Sequence, residues 1–414
     1  LDFNFVAVKK LDPRITYRRT GPASYTDEFG KVVLVGDNAP RFDHDVDTRE
    51  SKGLLIEESR TNVFDHSIPR TSYTSNAWSV SQGSIVENTT ETTAPDGTYT
   101  ATKFIDNSTN AQHLLYQAPS SGISATNYIW SLYVKEPASN SQRYISLTMH
   151  GMGYVAYDIQ DGVIAQSYGS GIQGSGIYPV GNGWYRCWVE YLKANTNAAV
   201  YIILHNGANG GHTYTGNDTD SLYVWGAQLE QVSTFISSYI PTSYGPATRG
   251  VDVVRVEGQE LSDFYDTSEW TLLTITDATP ASLVASASSV NDIGFIGTNG
   301  NNYYKIRYVT DSTLDDAYID AYGTSNSSVQ FDFGGSHNEV DTSALRNVKI
   351  ALAAKVNDTA LTYNGNTVEV DTGCALPLNV GTFYIGENPK QLYVKRIMYY
   401  PKRLPTAQLK TITS

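Results

Sequence analysis

Residues 222–242 read LYVWGAQLEQVSTFISSYIPT, and the fold class turns on this stretch. Leu222, Val224 and Ala227 stand among Tyr223 and Trp225. That mixture of aliphatic and aromatic side chains suits a pleated, half-buried surface. The pattern predicts a strand that breaks at Gly226, then runs through Gln228, Leu229 and Glu230 to an exit at Pro241. No step of it requires catalytic chemistry. It is the pattern of a closing β-sandwich strand followed by a structured exit.

Working outward, strand-like runs recur at 99–104, 128–134, 144–149, 154–159, 163–167, 184–191, 199–204 and 222–228. This is the spacing expected of a sandwich, with Gln160-Asp161-Gly162 as a hairpin turn. Residues 66–250 are therefore read as one antiparallel β-sandwich. Residues 251–414 are read as a second. Its strongest signal is Asn364-Gly365 between Leu361-Thr362-Tyr363 and Thr367-Val368-Glu369-Val370, a tight hairpin. Residues 346–355 are read as a strand, because Asn357 and Asp358 stop the run. The end, 394–413, predicts a strand, a Pro-bounded turn and one or two helical turns begun near Pro405.

Residues 1–65 are the most charged region and do not read as a compact domain. Short strands are expected at 23–26 and 31–35 around the turn Asp27-Glu28-Phe29-Gly30. The apolar centre Leu54-Leu55-Ile56 is flanked by Arg41, Arg49, Glu57, Glu58 and Arg60. Those charges either pair and lock an extended arm against its neighbours or form a solvated surface. The fold class expected is all-β: an extended N-terminal β-arm (1–65) followed by two antiparallel β-sandwiches of jelly-roll, lectin-like type. The arm is expected to pack on another subunit or on a different protein of the same assembly, so that its deletion leaves both sandwiches folded.

Composition narrows the function. With 414 residues, 40% of them hydrophobic, the chain can bury two or three cores. A net charge of −13 and the lack of a basic cluster argue against a nucleic-acid binder. No apolar run reaches the roughly 18–20 residues of a membrane span. Cys187 and Cys374 are expected to be free thiols rather than a disulfide framework.

Several motifs dissolve on inspection. Gly169-Ser170-Gly171-Ile172-Gln173-Gly174 has dinucleotide-site spacing, but the following glycines and Pro179 cannot open the helix such a site needs. Asp43-His44-Asp45-Val46-Asp47 lacks the Gly and Glu that an EF-hand requires at its sixth and twelfth positions, where Thr48 and Leu54 stand. The seven histidines show no zinc-ligand spacing. Nothing singles out a glycosidase carboxylate pair among 42 acidic residues, and the chain is expected not to be an enzyme. Trp130, Trp184, Trp188 and Trp225 are assigned mainly to the core. Sugars pack their C–H faces on flat rings while amides meet their hydroxyls. On that basis Asn301, Asn302, Tyr303 and Tyr304 are the candidate glycan-binding residues, with Tyr318 and Tyr322 as weaker ones.

Three sets of segments carry a resemblance. ITYRRTGPASYTDEFGKVV (15–33), PRFDHD (40–45) and GLLIEESRTN (53–62) resemble the amino-terminal block of many bacteriophage tail-fibre and head-fibre proteins. APDGTYTATKF (94–104), YIWSLYVKE (128–136), PVGNGWYRCWV (179–189) and residues 222–242 are similar to phage virion proteins with carbohydrate-binding-module-like sandwiches. Residues 394–413 resemble the last strand and short helix of laminin-G or concanavalin-like lectin domains, and that likeness is less specific. The resemblance implies a virion structural protein, assembled in the host bacterial cytoplasm and anchored by its arm. It implies other virion proteins and further copies of the chain as partners, most simply a trimer, together with host surface polysaccharide. It implies no cofactor. A structural Ca²⁺ is implied, with ligands that the sequence does not place. The alternatives left open are a decoration or connector protein without sugar binding, and a glycan depolymerase.

Overall fold

The computed structural model describes residues 1–124, 126–138, 143–192, 199–207, 211–231, 235–278, 290–299, 302–310, 316–325, 328–333, 339–341, 345–377, 379–387 and 390–414. The chain is all-β, in antiparallel sheets, with short helices at Gln259–Ser262 and Thr406–Thr413 among the described residues.

The middle sandwich has two sheets. One runs in the order Ile172–Pro179, Trp184–Tyr191, Tyr128–Lys135, Ser221–Gln231, Thr102–Asp106, Gly83–Val86, with Arg60–Asn62 and Ala247–Arg249 joined to it beyond Ser221–Gln231. The other runs Val163–Tyr168, Gly153–Asp158, Tyr144–Met149, Val200–Leu204, Leu114–Gln117, Ser79–Ser81. Side chains alternate between faces along each strand. Phe104, Trp130, Leu132, Val189, Val224 and Leu229 therefore meet Leu115, Leu147, Val155 and Ile202 in one core. Trp184 and Trp225 are also buried, on the opposite face of the first sheet with Tyr133 and Tyr239. Trp188 is half-buried.

The expected break at Gly226 is not a break. Ser221–Gln231 is one strand of 11 residues. Ser131 faces Gln228 while Tyr133 faces Trp225, so Gly226 and Ala227 together oppose Leu132. This is a β-bulge, which adds one residue and bends the strand without ending it. Gly226 has φ +63°, and a Cβ there would stand 2.8 Å from the ring of Tyr133. Glycine fits because it alone takes that conformation without steric cost.

The C-terminal sandwich also has two sheets. One runs Glu369–Asp371, Thr359–Tyr363, Val348–Lys355, Glu269–Ala278, Gln391–Tyr400, Ser51–Glu57, Phe42–His44, with Asp2–Asn4 beside the far half of Gln391–Tyr400. The other runs Thr16–Arg18, Val253–Glu257, Thr382–Ile385, Val290–Asn299, Asn302–Thr310, Asp316–Ser325, Ser328–Asp332, with Glu339–Asp341 on Asp316–Ser325. Four of these strands come from the first 57 residues.

That changes the reading of the arm. Leu54, Leu55 and Ile56 pair with Val394, Tyr393 and Leu392, and all three are buried. Phe3, Phe5, Ile15, Phe42, Leu54 and Ile56 belong to the same core as Trp270, Ile350 and Ile397. The arm lacks a core of its own because its apolar side chains complete another one within the same chain. The expectation that the sandwiches fold without it is corrected accordingly. Hairpin Ala23–Thr26 with Val32–Val35 forms as expected. Residues 169–171 are a turn leading into strand Ile172–Pro179, not a helix. Both cysteines are buried and unpaired.

Candidate functional site

Charged side chains of the arm converge at the joint between the sandwiches. Arg41 donates to Glu57 and to Asp252, each at 2.5 Å, and Arg249 lies 3.2 Å from Glu57. Arg19 stands 3.4 Å from Asp252, and the Tyr17 hydroxyl donates to the same carboxylate. The Ser238 amide and hydroxyl donate to Glu57 at 3.0 and 2.7 Å, and Gln391 donates to it at 3.0 Å. The side chains of Arg19, Arg41, Glu57, Arg249 and Asp252 are 0% exposed. Burial alone would push the Glu57 carboxyl up, but Arg249, Arg41 and Ser238 outweigh it and hold it well below the ordinary range. Next to this cluster, Asn62 donates to the carbonyls of Ala227 and Ile240 and accepts from Leu229. The Gln228 oxygen accepts from Ile240, and Ser237 donates to Glu230. The two stretches that dominated the sequence reading, 40–64 and 222–242, are thus each other's hydrogen-bonding partners. The cluster has no exposed face, so it is a structural interlock. Charges left unpaired there would be costly, and the dense pairing avoids that cost.

A cavity of about 530 Å³ opens beside this interlock, where arm and both sandwiches meet. Several of its charged groups are directed at protein partners. Asp43 accepts from the Thr26 amide at 2.6 Å, Arg186 donates to Ser237 O and Ser131 Oγ, and Lys395 pairs with Asp277 at 2.8 Å. Asp45 caps its own turn through the amides of Asp47 and Thr48. Among the described residues, no cluster of three or more His, Cys, Asp or Glu side chains could hold a metal ion.

The residues chosen from sequence fall apart as a site. Asn301 lies outside the described residues. Asn302, Tyr303 and Tyr304 open strand Asn302–Thr310. Tyr304 is 1% exposed, packs edge-on against Trp270 at 5.7 Å and donates to Ala375 O at 2.5 Å. It is a core residue, and its reading as a glycan contact is corrected. Tyr303, on the opposite face, is half-buried beneath Lys305, whose ammonium sits 5.1 Å from its ring. Tyr318 and Tyr322 lie in strand Asp316–Ser325, and their side chains lie outside the described ones.

An aromatic surface stands elsewhere, on the outer face of the six-stranded sheet of the middle sandwich. Tyr168 pairs with Tyr154, Tyr154 with Thr148, Thr148 with Tyr201, Tyr201 with Tyr116, and Tyr116 with Ser79. Directly paired residues share a face. One row therefore crosses all six strands and carries four tyrosines, opposite in parity to the core residues Leu115, Leu147, Val155 and Ile202. Tyr116 and Tyr201 have ring centroids 5.6 Å apart, Tyr154 and Tyr168 5.5 Å. His150 approaches Tyr201 at 6.4 Å, and His212 packs on Tyr154 at 4.3 Å. Tyr168 is 66% exposed, and the other three tyrosines are half-buried. The strands were legible in sequence, and so was their alternation. Register was not, because Val200–Leu204 inserts between Tyr144–Met149 and Leu114–Gln117, out of chain order.

No family model matches this chain, and no curated protein matches it. It is similar to several solved structures at low identity. A Trypanosoma rangeli sialidase in complex with the inhibitor DANA is 11% identical, covering 81% of this chain and 62% of its own, with a TM-score of 0.27. This chain thus spans under two thirds of the sialidase. The mouse laminin alpha1 chain, domains LG4-5, is 12% identical over 70% of this chain and 85% of its own, with a TM-score of 0.21. A GH43 protein from Bacillus licheniformis is 10% identical over 96% and 99%, with a TM-score of 0.23. The expectation that the chain is not an enzyme is corrected here: sialidases and a GH43 protein stand among its structural neighbours, and that exclusion is withdrawn. TM-scores this low assign no reaction, substrate or catalytic residue to it.

Proposed function

We propose that this chain is a structural component of a bacteriophage virion appendage, of the tail-fibre or head-fibre kind, that adheres to host surface glycan. The observation that carries adhesion is the row Tyr168, Tyr154, Tyr201 and Tyr116 on one outer sheet face. Such a surface offers flat rings to sugar C–H faces, with the tyrosine hydroxyls and Gln166, which accepts from the Tyr154 hydroxyl, alongside for sugar hydroxyls. What supports the virion role is the resemblance of segments 15–33, 40–45, 53–62 and 222–242, which include the buried Arg41, Glu57, Asn62, Gln228 and Glu230. Under this reading the partners are other virion proteins, two further copies of this chain in a trimer, and host surface polysaccharide.

The test is immunogold labelling of purified virions with an antibody to this chain, together with adsorption assays in the presence of purified protein. Label at a tail or head appendage and competition for adsorption are expected. Absence of the chain from purified virions would end the virion reading. Presence without competition would leave a decoration or connector role.

A further inference from the structure

We infer that the glycan held by the tyrosine row is a neutral chain, lying across the strands and bound along its internal length. This rests on the adhesive reading above and names the ligand class for that surface.

The first observation is the row's direction. Neighbouring strands lie about 4.8 Å apart, so Tyr168 to Tyr116, four strand intervals, spans about 19 Å. The rings stand at the second, first, fourth and fifth strands of the sheet in the order Gly153–Asp158, Val163–Tyr168, Val200–Leu204, Leu114–Gln117. Thr148 fills the middle strand. The surface is a track rather than a pocket. Ser79 at one end is exposed, as is Tyr168 at the other. A ligand can therefore run off both ends, which fits an internal stretch of a polymer rather than a chain terminus.

The second observation is charge. Ser79, Tyr116, Tyr201, Thr148, Tyr154 and Tyr168 bring no Asp, Glu, Lys or Arg to the row. The next row on the same face is Gln166, Ala156, Ser146, Ile203, Leu114 and Ser81; none of these is charged, and Ala156, Ser146 and Ile203 are buried beside the track. Asp158 is the first charge reached along Gly153–Asp158, and Arg143 donates to it at 2.8 Å. His212, beside Tyr154, is kept neutral: burial and then the neighbouring His205 bring its pKa down to about 4. Polyanion-binding surfaces place Arg or Lys forks against carboxylate, sulfate or phosphate. Among the described residues, these two rows offer none, the guanidinium of Arg143 at their edge is held by Asp158 and Asp161, and the chain's net charge of −13 repels a polyanion further. Flat rings with hydroxyl and amide neighbours match an uncharged sugar polymer.

The experiment measures binding of the full chain, by calorimetry or glycan array, to neutral polysaccharides (a β-glucan and a mannan) and to polyanions (hyaluronan and polysialic acid). Three variants accompany it: Tyr116→Ala with Tyr201→Ala, Tyr168→Ala alone, and Thr148→Lys. Thermal unfolding checks the fold, and the exposed Tyr168 provides a variant with little structural burden. A neutral polymer should bind, more tightly as oligomers lengthen until the track is filled. Each aromatic variant should weaken it at least about fivefold. Thr148→Lys should obstruct a neutral chain. Polyanion binding that Thr148→Lys strengthens would overturn the neutral class while leaving the row as the adhesive surface. Neutral binding unchanged in every variant would overturn the row itself. No binding to any probe, with adsorption still blocked by the purified protein, would overturn the ligand class and leave adhesion standing. No binding and no competition would remove both.

Discussion

The two sandwiches are similar in architecture and opposite in how they are assembled from the chain. The middle one draws its strands from residues 79–249, with Arg60–Asn62 added at one side. The C-terminal one takes Asp2–Asn4, Thr16–Arg18, Phe42–His44 and Ser51–Glu57 from the far end of the chain. Pairing Asp2 with Met398 closes a loop of nearly the whole protein. Such non-local pairing must meet loop-closure entropy before contacts repay it. The middle sandwich thus takes nearly all its strands from one continuous segment, whereas the C-terminal one depends on the arm. The charged region that looks least like a domain holds the molecule together.

The largest effect is expected from removing residues 1–57. The C-terminal sandwich would lose four strands and the side chains of Phe3, Phe5, Ile15, Phe42, Leu54 and Ile56 from its core. Amides of Val348–Lys355 should lose hydrogen-exchange protection, while those of Ser221–Gln231 keep it. Full protection at both sites in the truncated chain would erase the contrast between the sandwiches.

Next comes Glu57→Ala. It leaves Arg249 and part of Arg41 buried against no carboxylate, and breaking a buried pair this way costs about 3–5 kcal/mol. The unfolding midpoint in urea measures it. The same residue predicts an acid response. Its folded pKa lies well below the unfolded value of about 4.3, because Arg249 and Arg41 overcome burial. Below that unfolded value the unfolded state takes up a proton that the folded state resists. The stabilisation is therefore complete above about pH 4.3 and drains as pH falls further. Glu57→Gln should flatten that part of the pH dependence. An unchanged slope would mean another carboxylate governs acid unfolding.

The sequence made the local elements legible and left the joins obscure. Tyr144–Met149, Trp184–Tyr191 and the helix Thr406–Thr413 begin and end close to where alternation and Pro405 placed them. Leu54-Leu55-Ile56 stood out as apolar, but no local pattern says that its partner strand lies more than 330 residues away. Tyr303 and Tyr304 looked alike in sequence because a glycine- and asparagine-rich approach hides where the strand begins. Alternation gave them opposite faces, but only the sheet's position decided which face was core. The tyrosine row was invisible for a related reason: each ring was in view, and the out-of-order strand that aligns them was not.

A smaller effect is expected at the bulge. Gly226→Ala places a side chain at φ +63°, which costs roughly 1–2 kcal/mol, and sets its Cβ 2.8 Å from the Tyr133 ring. Aromatic neighbours must shift to admit it. The substitution should lower the urea midpoint of the middle sandwich and leave the protection of Val348–Lys355 intact. Equal loss in both sandwiches would show that they unfold as one unit, and would sharpen the comparison into a statement about cooperativity.

The smallest effect is expected at Tyr303. It stands on the face of Asn302–Thr310 opposite Tyr304, Ile306 and Tyr308, which belong to the C-terminal core. Its contacts include the ammonium of Lys305, across a half-buried surface. Cation–π contacts at such sites contribute about 0.5–1 kcal/mol, and Tyr303→Ala should cost less in urea unfolding than truncation of a core aromatic. An aromatic truncated within the core would cost about 3–5 kcal/mol. A loss of that size at Tyr303 would mean that both faces of this strand are covered. The C-terminal sandwich would then be enclosed on a side where the middle sandwich is open, and the contrast between them would extend from assembly to surface.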